Sequence, residues 1–357
     1  VGHRALSSFN NETGSTYNTA FGYDAMQSVT RGTYNIGIGY GAFNSSGNTG
    51  DYNIALGHNT LGANTSGQYN LALVGNALDA NTTGSFNIAL GSLSLNDNTT
   101  GSYNIAIGES ALDKNTTASQ NVALGNDSLG ANLTGTGNIG IGQNSVGQST
   151  STNYNIGIGS SALSAAKGIG NIGLGYQAGK GGTNAFGNYN LSLGYSAGLA
   201  LTSGSGNINL GYQAGDNITT GSNNIIIGYD LDSVSATASN LLNIGGTIFG
   251  DLQNDLVGIG TSTLNYSLTI ASSTNWLEMT DGADIYTRFS TLASNIGNIP
   301  LLSSQADTSD VLGGDASGVF VKNAIYMLGL DSSPLLNFAT MDGNNLDASM
   351  YMGFDGT

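Results

Sequence analysis

Tyr34-Asn35-Ile36-Gly37-Ile38-Gly39 returns with small changes along most of the chain. It recurs as Tyr52-Asn53-Ile54-Ala55-Leu56-Gly57, Phe86-Asn87-Ile88-Ala89-Leu90-Gly91 and Tyr103-Asn104-Ile105-Ala106-Ile107-Gly108, and last as Asn224-Ile225-Ile226-Ile227-Gly228. Counted on its asparagine, the motif stands at 18, 35, 53, 70, 87, 104, 121, 138, 155, 171, 190, 207 and 224, and nine of the twelve intervals are seventeen residues. A short period held this long marks a one-dimensional repeat architecture, in which each unit packs only on its neighbours.

Within the motif, apolar and small residues alternate with period two. That is a strand pattern, with Ile or Leu on one face and Gly or Ala on the other. A helix fails locally, because Gly or Asn at every third or fourth position costs up to about 1 kcal/mol each and the apolar spacing does not match a helical turn. The rest of each unit carries a small and then usually an apolar residue, as in Ala42-Phe43, Thr60-Leu61, Ala77-Leu78, Ser94-Leu95, Ala111-Leu112, Ser128-Leu129 and Ala162-Leu163. A polar turn such as Asn81-Thr82-Thr83-Gly84-Ser85 follows. This predicts a second short strand returning across the coil, its Leu set against the Ile pair of the first.

The fold class expected is therefore all-β, a parallel β-solenoid or β-roll of coils about 17 residues long. Stacked at about 4.8 Å per step, thirteen coils extend roughly 60 Å. Ile36, Ile38, Ile54, Leu56, Leu71, Leu73, Ile88, Leu90, Ile105, Ile107, Ile139, Ile141, Ile156 and Ile158 are the expected core ladders. Burying each such side chain is worth about 1.5–3 kcal/mol. The opposite strip, Gly37, Ala55, Ala72, Ala89, Ala106, Ala123, Gly140 and Gly157, is too smooth for ordinary solvent-facing surface. It reads either as tight packing within the coil or as a face against identical chains, and is the candidate trimer-facing strip.

Two further columns run with the repeat. Tyr17, Tyr34, Tyr52, Tyr69, Phe86, Tyr103, Tyr154 and Tyr189 form an aromatic ladder, interrupted at Gln120, Gly137, Gly170 and Gly206. Stacked rings staple neighbouring coils at about 0.5–1.5 kcal/mol per pair; the alternative is a strip for sugars. The asparagines suit side-chain to backbone bonds in turns. Sequons at Asn81, Asn98, Asn115, Asn132 and Asn217 permit glycosylation, although an Asn/Thr-rich turn generates them unselected.

Residues 1–16 read as a preceding coil or cap, and Val1 starts in mid-pattern, as in a processed chain or fragment. Residues 17–228 are the repeats, and 229–262 a degenerate coil and transition around Asn243-Ile244-Gly245. Residues 263–357 hold Trp276, Pro300 and Pro334, with alternating stretches at 267–270 and 318–321, and read as a smaller β domain.

Composition narrows function. Charged residues are 8% of the chain and the net charge is −16. The seven Lys and Arg are scattered, so neither a nucleic-acid partner nor an anionic membrane surface is expected. No apolar run reaches the roughly 20 residues of a membrane span, so this chain is not expected to insert. There is no Cys, and His3 and His58 lie in different repeats without a paired nucleophile, so no cofactor, catalytic triad or His-based metal site is expected. Gly168-Ile169-Gly170-Asn171-Ile172-Gly173 matches a dinucleotide fingerprint only by glycine abundance, since no helix follows. Glu278, Asp281 and Asp284 are the least implausible carboxylates for glycan hydrolysis, and Asp230 with Asp232 for Ca²⁺; a solvated turn and a capping turn are the plainer readings.

The Asn, paired Ile/Leu and trailing Gly of 17–228 resemble the head repeat of trimeric autotransporter adhesins. That resemblance implies a left-handed parallel β-roll, three of which pack side by side as a homotrimer with a Gly/Ala-rich inner face. The segment Val257-Gly258-Ile259-Gly260-Thr261-Ser262-Thr263-Leu264-Asn265-Tyr266-Ser267-Leu268-Thr269-Ile270 is similar to one in phage tail fibres and related surface fibres, where it precedes a C-terminal intramolecular chaperone. Both imply an extracellular fibre on a cell or virion surface. The function expected is non-enzymatic adhesion, with a host receptor, matrix component or glycan as partner. The alternatives are a phage-type receptor-binding fibre, with or without glycan degradation, and a structural filament subunit.

Overall fold

The structure is a computed structural model that describes residues 2–7, 17–182, 187–270, 335–342 and 345–353, the last two segments by their backbone alone. Trp276, Glu278, Asp281, Asp284, Pro300, Pro334 and the 318–321 stretch lie outside the described residues. The chain divides into two compact units, Val1–Leu277 and Glu278–Thr357. In the second unit, Leu335–Asp342 and Asn345–Gly353 pair antiparallel.

The first unit is the solenoid. Its strands are β1 (Thr19–Phe21), β2 (Ile36–Ile38), β3 (Ile54–Leu56), β4 (Leu71–Leu73), β5 (Ile88–Leu90), β6 (Ile105–Ile107) and β7 (Val122–Leu124). They continue as β8 (Ile139–Ile141), β9 (Ile156–Ile158), β10 (Ile172–Leu174), β11 (Leu191–Leu193), β12 (Ile208–Leu210) and β13 (Ile225–Ile227). Each pairs parallel with the next, and the register sets like on like: Ile88 meets Ile105, Ala89 meets Ala106, Leu90 meets Ile107. β14 (Leu241–Ile244) adds one more parallel rung, so the degenerate coil around Asn243 is part of the stack. The sheet then turns antiparallel through β15 (Ile248–Asp251) and β16 (Leu256–Ile259) before β17 (Leu268–Ile270) pairs parallel with β16.

The faces of the strands are reversed from the sequence expectation. Gly37, Ala55, Ala72, Ala89, Ala106, Ala123, Gly140 and Gly157 are buried inside the roll. Ile36, Ile54, Leu56, Leu71, Leu73, Ile88, Leu90, Ile105, Ile139, Ile141 and Ile156 point outward and are half-buried, and Ile38, Ile107 and Ile158 are exposed. The reason is volume. The core is filled from the other side of the coil by Met26, Phe43, Leu61, Leu78, Leu95, Leu112, Leu129, Val146 and Leu163, all buried, and these leave only a small residue's room opposite. A Cβ on Gly157 would come within 2.8 Å of Val146 Cγ2, and one on Gly173 within 2.9 Å of Leu163 Cγ.

The returning segment is not a strand. Ser110 and Leu112, like Asp127 and Leu129, take left-handed φ values of 52° to 55°. Two such residues separated by one ordinary residue make a tight turn that drops the Leu inward.

Two stacks of asparagine satisfy much of the polar interior, while Asn132 Oδ1, Ser192 Oγ and both side-chain polar atoms of Asn209 are buried without a hydrogen-bond partner. Asn104 Nδ2 donates to Asn87 Oδ1 at 3.1 Å and to the Ala118 carbonyl at 2.9 Å, while its Oδ1 accepts the Asn121 backbone N–H at 3.0 Å. In the second stack, Asn98 Nδ2 donates to Asn81 Oδ1 at 2.8 Å and to the Gly101 carbonyl at 3.0 Å. Buried amides are costly without such partners, about 1–3 kcal/mol each. The sequon asparagines 81, 98, 115 and 132 belong to this second stack and are fully buried, so the folded roll presents no free amide there.

Leu112→Ala should lower the unfolding free energy by about 2–5 kcal/mol by opening a cavity. Ala106→Leu should lower it by about 1–3 kcal/mol through overpacking. Denaturant unfolding measures both, and an Ala106→Leu chain as stable as the parent would put that strip back on the outside.

Candidate interaction face

The outward positions of the strands build one continuous surface. One column runs from Ile36 through Ile54, Leu71, Ile88, Ile105, Val122, Ile139, Ile156, Ile172, Leu191 and Ile208 to Ile225. The second runs two residues on, from Ile38 to Ile227, and neither contains a charged rung. A strand face this narrow shields each side chain only by the rungs above and below it, which is why the Ile and Leu remain half-buried at best.

Aromatic columns border the two aliphatic ones. On the side preceding each strand, Tyr17, Tyr34, Tyr52, Tyr69, Phe86 and Tyr103 stack face to face with centroids 4.8–4.9 Å apart and planes within 10°. That spacing is the spacing of the strands themselves. Every one of these rings hangs from a backbone with φ between 55° and 61°, a conformation that costs an L-residue about 1–2 kcal/mol. Glycine takes the same position at 137, 170 and 206, with φ of 66° to 71°, and holds this backbone without strain, whereas the fourth interruption, Gln120, keeps φ at 61°.

A second ladder, which the sequence reading missed, follows the strands. It runs His3, Tyr23, Tyr40, His58, with centroids 5.1–5.4 Å apart, and resumes as Tyr176, Tyr195, Tyr212, Tyr229 at 4.9–5.2 Å. The available signal was the residue after the trailing glycine, as in Gly39-Tyr40 and Gly211-Tyr212. Between the two runs this column holds Gly75, Ser92, Glu109, Asn126, Gln143 and Ser160. Burial between neighbouring rings pushes the phenols of Tyr52 and Tyr212 above their usual value, with the adjacent tyrosines adding to it. Because the rings face one another, a ladder shows solvent its edges and hydroxyls; a ring face is free only where a run ends.

The twelve rungs from Ile36 to Ile225 make the aliphatic pair about 53 Å long.

The acidic residues gather elsewhere. Asp216 lies beside Asp232 where the regular repeats end, and its carboxyl is held above the usual range by burial, then by the hydrogen bond to Asp232 and by that neighbour's charge, with Asp230 adding. Among the described residues no group of three or more acidic or His side chains is placed to hold a metal ion. No helix among them is long and apolar enough to cross a membrane. No family model, no curated protein and no solved structure matches this chain.

Tyr69→Ala should destabilise the roll by about 1–3 kcal/mol through loss of two stacking contacts. Tyr69→Gly should recover part of that, since glycine holds the left-handed backbone freely; equal losses would show that φ carries no strain.

Asp216 predicts a pH response. Its folded-state affinity for a proton exceeds that of the unfolded chain, so stability rises as pH falls from 7 toward the ordinary aspartate value near about 4, and is lost as pH rises through the elevated value. Asp216→Asn should raise the melting temperature at pH 7 and flatten that dependence in melts between the two pH values.

Proposed function

We propose that this chain is a segment of an extracellular homotrimeric fibre that serves adhesion, and that the Ile/Leu face is buried between its three copies. The single observation that carries this reading is the unbroken, uncharged pair of aliphatic columns. An apolar strip of this length is costly in water and, at about 25 cal/mol per Å², repays burial handsomely.

A repeating rung is suited to meeting its own copies. Three parallel rolls in register present the same rung at the same height, so aliphatic side chains from three chains fill one axis without a charged group to desolvate. The trimer is thus assigned to the Ile/Leu face, since the Gly/Ala strip is occupied inside each roll. The fibre reading rests further on the resemblance of residues 17–228 and 257–270 to surface-fibre segments. It serves a cell surface or a virion surface equally, because the same stack gives reach and stiffness to either. Contact with a receptor, matrix component or glycan then falls to the corners and to residues beyond the repeats.

The test is particle mass in solution by light scattering. The parent should weigh three times the 36.1 kDa chain. Ile105→Asp combined with Ile107→Asp should give a monomer with an unchanged β circular-dichroism spectrum, the charges being placed where the copies meet. A parent that is monomeric, or that polymerises without limit, overturns the trimer; the second result makes it a filament subunit.

A further inference from the structure

Beside the second aromatic ladder, at the N-terminal coils, the corner of the roll opens into a groove of about 410 Å³ lined by Asp24, Tyr40, Asn44, Asn59, Gly62 and Asp79 among others. It is a local feature, not a property of the repeat. Its floor includes Gly41, Gly62, Ala63 and Ala80. In the next coils the positions of Gly62 and Asp79 are taken by Asn96 and Asp113, and those of Ala63 and Ala80 by Asp97 and Lys114. There Lys114 Nζ bridges Asp97 and Asp113 at 3.1 and 3.0 Å.

The polar groups of the groove have distinct assignments. Both carboxylate oxygens of Asp24 are held by Arg4 at 2.8 Å, so that charge is spent within the protein. Asn44 Oδ1 accepts the Ser28 backbone N–H at 3.1 Å, which orients its amide nitrogen away from that bond. Asp79 is raised above the usual carboxylate range chiefly by burial, with His58 and the Gly62 backbone N–H acting the other way. Asn59 and Asp79 lean over Gly41 and Gly62, where a side chain would have displaced them. Next along the axis, the carbonyl oxygen of the Asn76 side chain is shut off from water without a hydrogen-bond partner.

The ladder ends beside this groove, with Tyr40 in its lining and His58 as the next ring along the axis. His58 stacks on Tyr40 at 5.3 Å, and the rung beyond it is Gly75. A Cβ at Gly75 would meet nothing nearer than the His58 carbonyl at 3.7 Å, and Gly75 itself sets no side chain against the outer face of the imidazole. An aromatic face free on one side, with amides and a carboxylate along the adjoining floor, is complementary to a sugar ring. The C–H face of a pyranose meets the electron-rich ring face, and its hydroxyls, each both donor and acceptor, reach planar amide and carboxylate groups.

We propose that this groove binds a neutral oligosaccharide, one ring lying on His58 above Gly75 and its hydroxyls meeting Asn59, Asn44 and Asp79. Acidic glycans are disfavoured. Arg4, the cationic side chain at Asp24, is committed to that carboxylate, and the chain carries −16 overall. This deepens the adhesion reading by naming its partner class, and it places contact at a corner outside the Ile/Leu columns.

The experiment uses the full chain titrated calorimetrically with cellohexaose, maltohexaose and mannohexaose, and with hexagalacturonate as the acidic counterpart. At least one neutral hexasaccharide should bind and hexagalacturonate should not. Asp79→Asn and His58→Ala should each weaken that binding at least about tenfold, while circular dichroism and particle mass stay as in the parent. Tyr229→Ala, which ends the distant run of the same ladder, should bind as the parent does. Failure of every neutral sugar, equal binding of hexagalacturonate, or indifference to both groove variants overturns the site. The monomeric Ile105→Asp/Ile107→Asp chain separates the two readings, because the groove lies within one roll and should bind even where the trimer is lost.

Discussion

Axial hydrogen bonding is the constraint on which this molecule depends. Each coil presents its backbone N–H and C=O groups to the next at one strand spacing, and the asparagine stacks repeat the same exchange with side chains. Asn104 serves three coils at once through Asn87, Ala118 and Asn121. A chain built this way cannot vary its coil height. Everything else therefore lines up: aliphatic side chains become columns, and rings preceding the strands are forced to a centroid distance of 4.8–4.9 Å, which suits stacking. The left-handed backbone beneath each ring is tolerated because the coils on either side fix it.

Inside the roll the second constraint is cross-sectional volume. Along β2 to β10 the inward strand residue is Gly or Ala, and the opposite corner supplies a large side chain, from Met26 to Leu163. From β11 onward the arrangement exchanges. The inward strand residues become Ser192, Asn209 and Ile226, all buried, while the opposite corner becomes Gly179, Gly198 and Gly215. A Cβ on Gly198 would come 2.6 Å from Ser192 Oγ and 2.8 Å from Asn209 Nδ2. Leu201 and Ile218 then occupy the corner that asparagine holds in the earlier coils. The total filling is kept while its source moves around the coil, as close packing demands.

The period, the strands and the asparagine anchors were legible because each is a local regularity repeated many times. Sidedness was not. Strict alternation shows that Ile105 and Ile107 share a face that Ala106 does not; it is silent on which face is inside. The deciding residue was Leu112, whose burial leaves room opposite only for something small. That residue also misled, since an Ala-Leu pair reads as a returning strand, whereas the left-handed φ of Ser110 and Leu112 makes it a turn. The second aromatic ladder escaped notice because its two runs lie far apart, at Tyr23 to His58 and Tyr176 to Tyr229. The groove could not be read at all: it depends on Asn44, Gly62 and Asp79 meeting across coils at one corner.

These positions differ in how freely they can change, and that difference separates assembly from recognition. An inward residue is tied to the opposite side of its coil, so Asn209 requires Gly198 and Gly215. An outward strand residue is tied to its column, and one charged rung would interrupt a surface that is uncharged from Ile36 to Ile227. A corner residue meets chiefly the same corner one coil above and below. Replacing Gly62 and Ala63 by Asn96 and Asp97 alters the surface of a single step while the core beneath, Leu61 and Leu95, stays the same. Local chemistry can therefore be written onto the corners of an otherwise uniform stack. Stability resides within the roll, the sheet face is suited to copies of the chain, and distinctive recognition belongs where the repeat departs from itself.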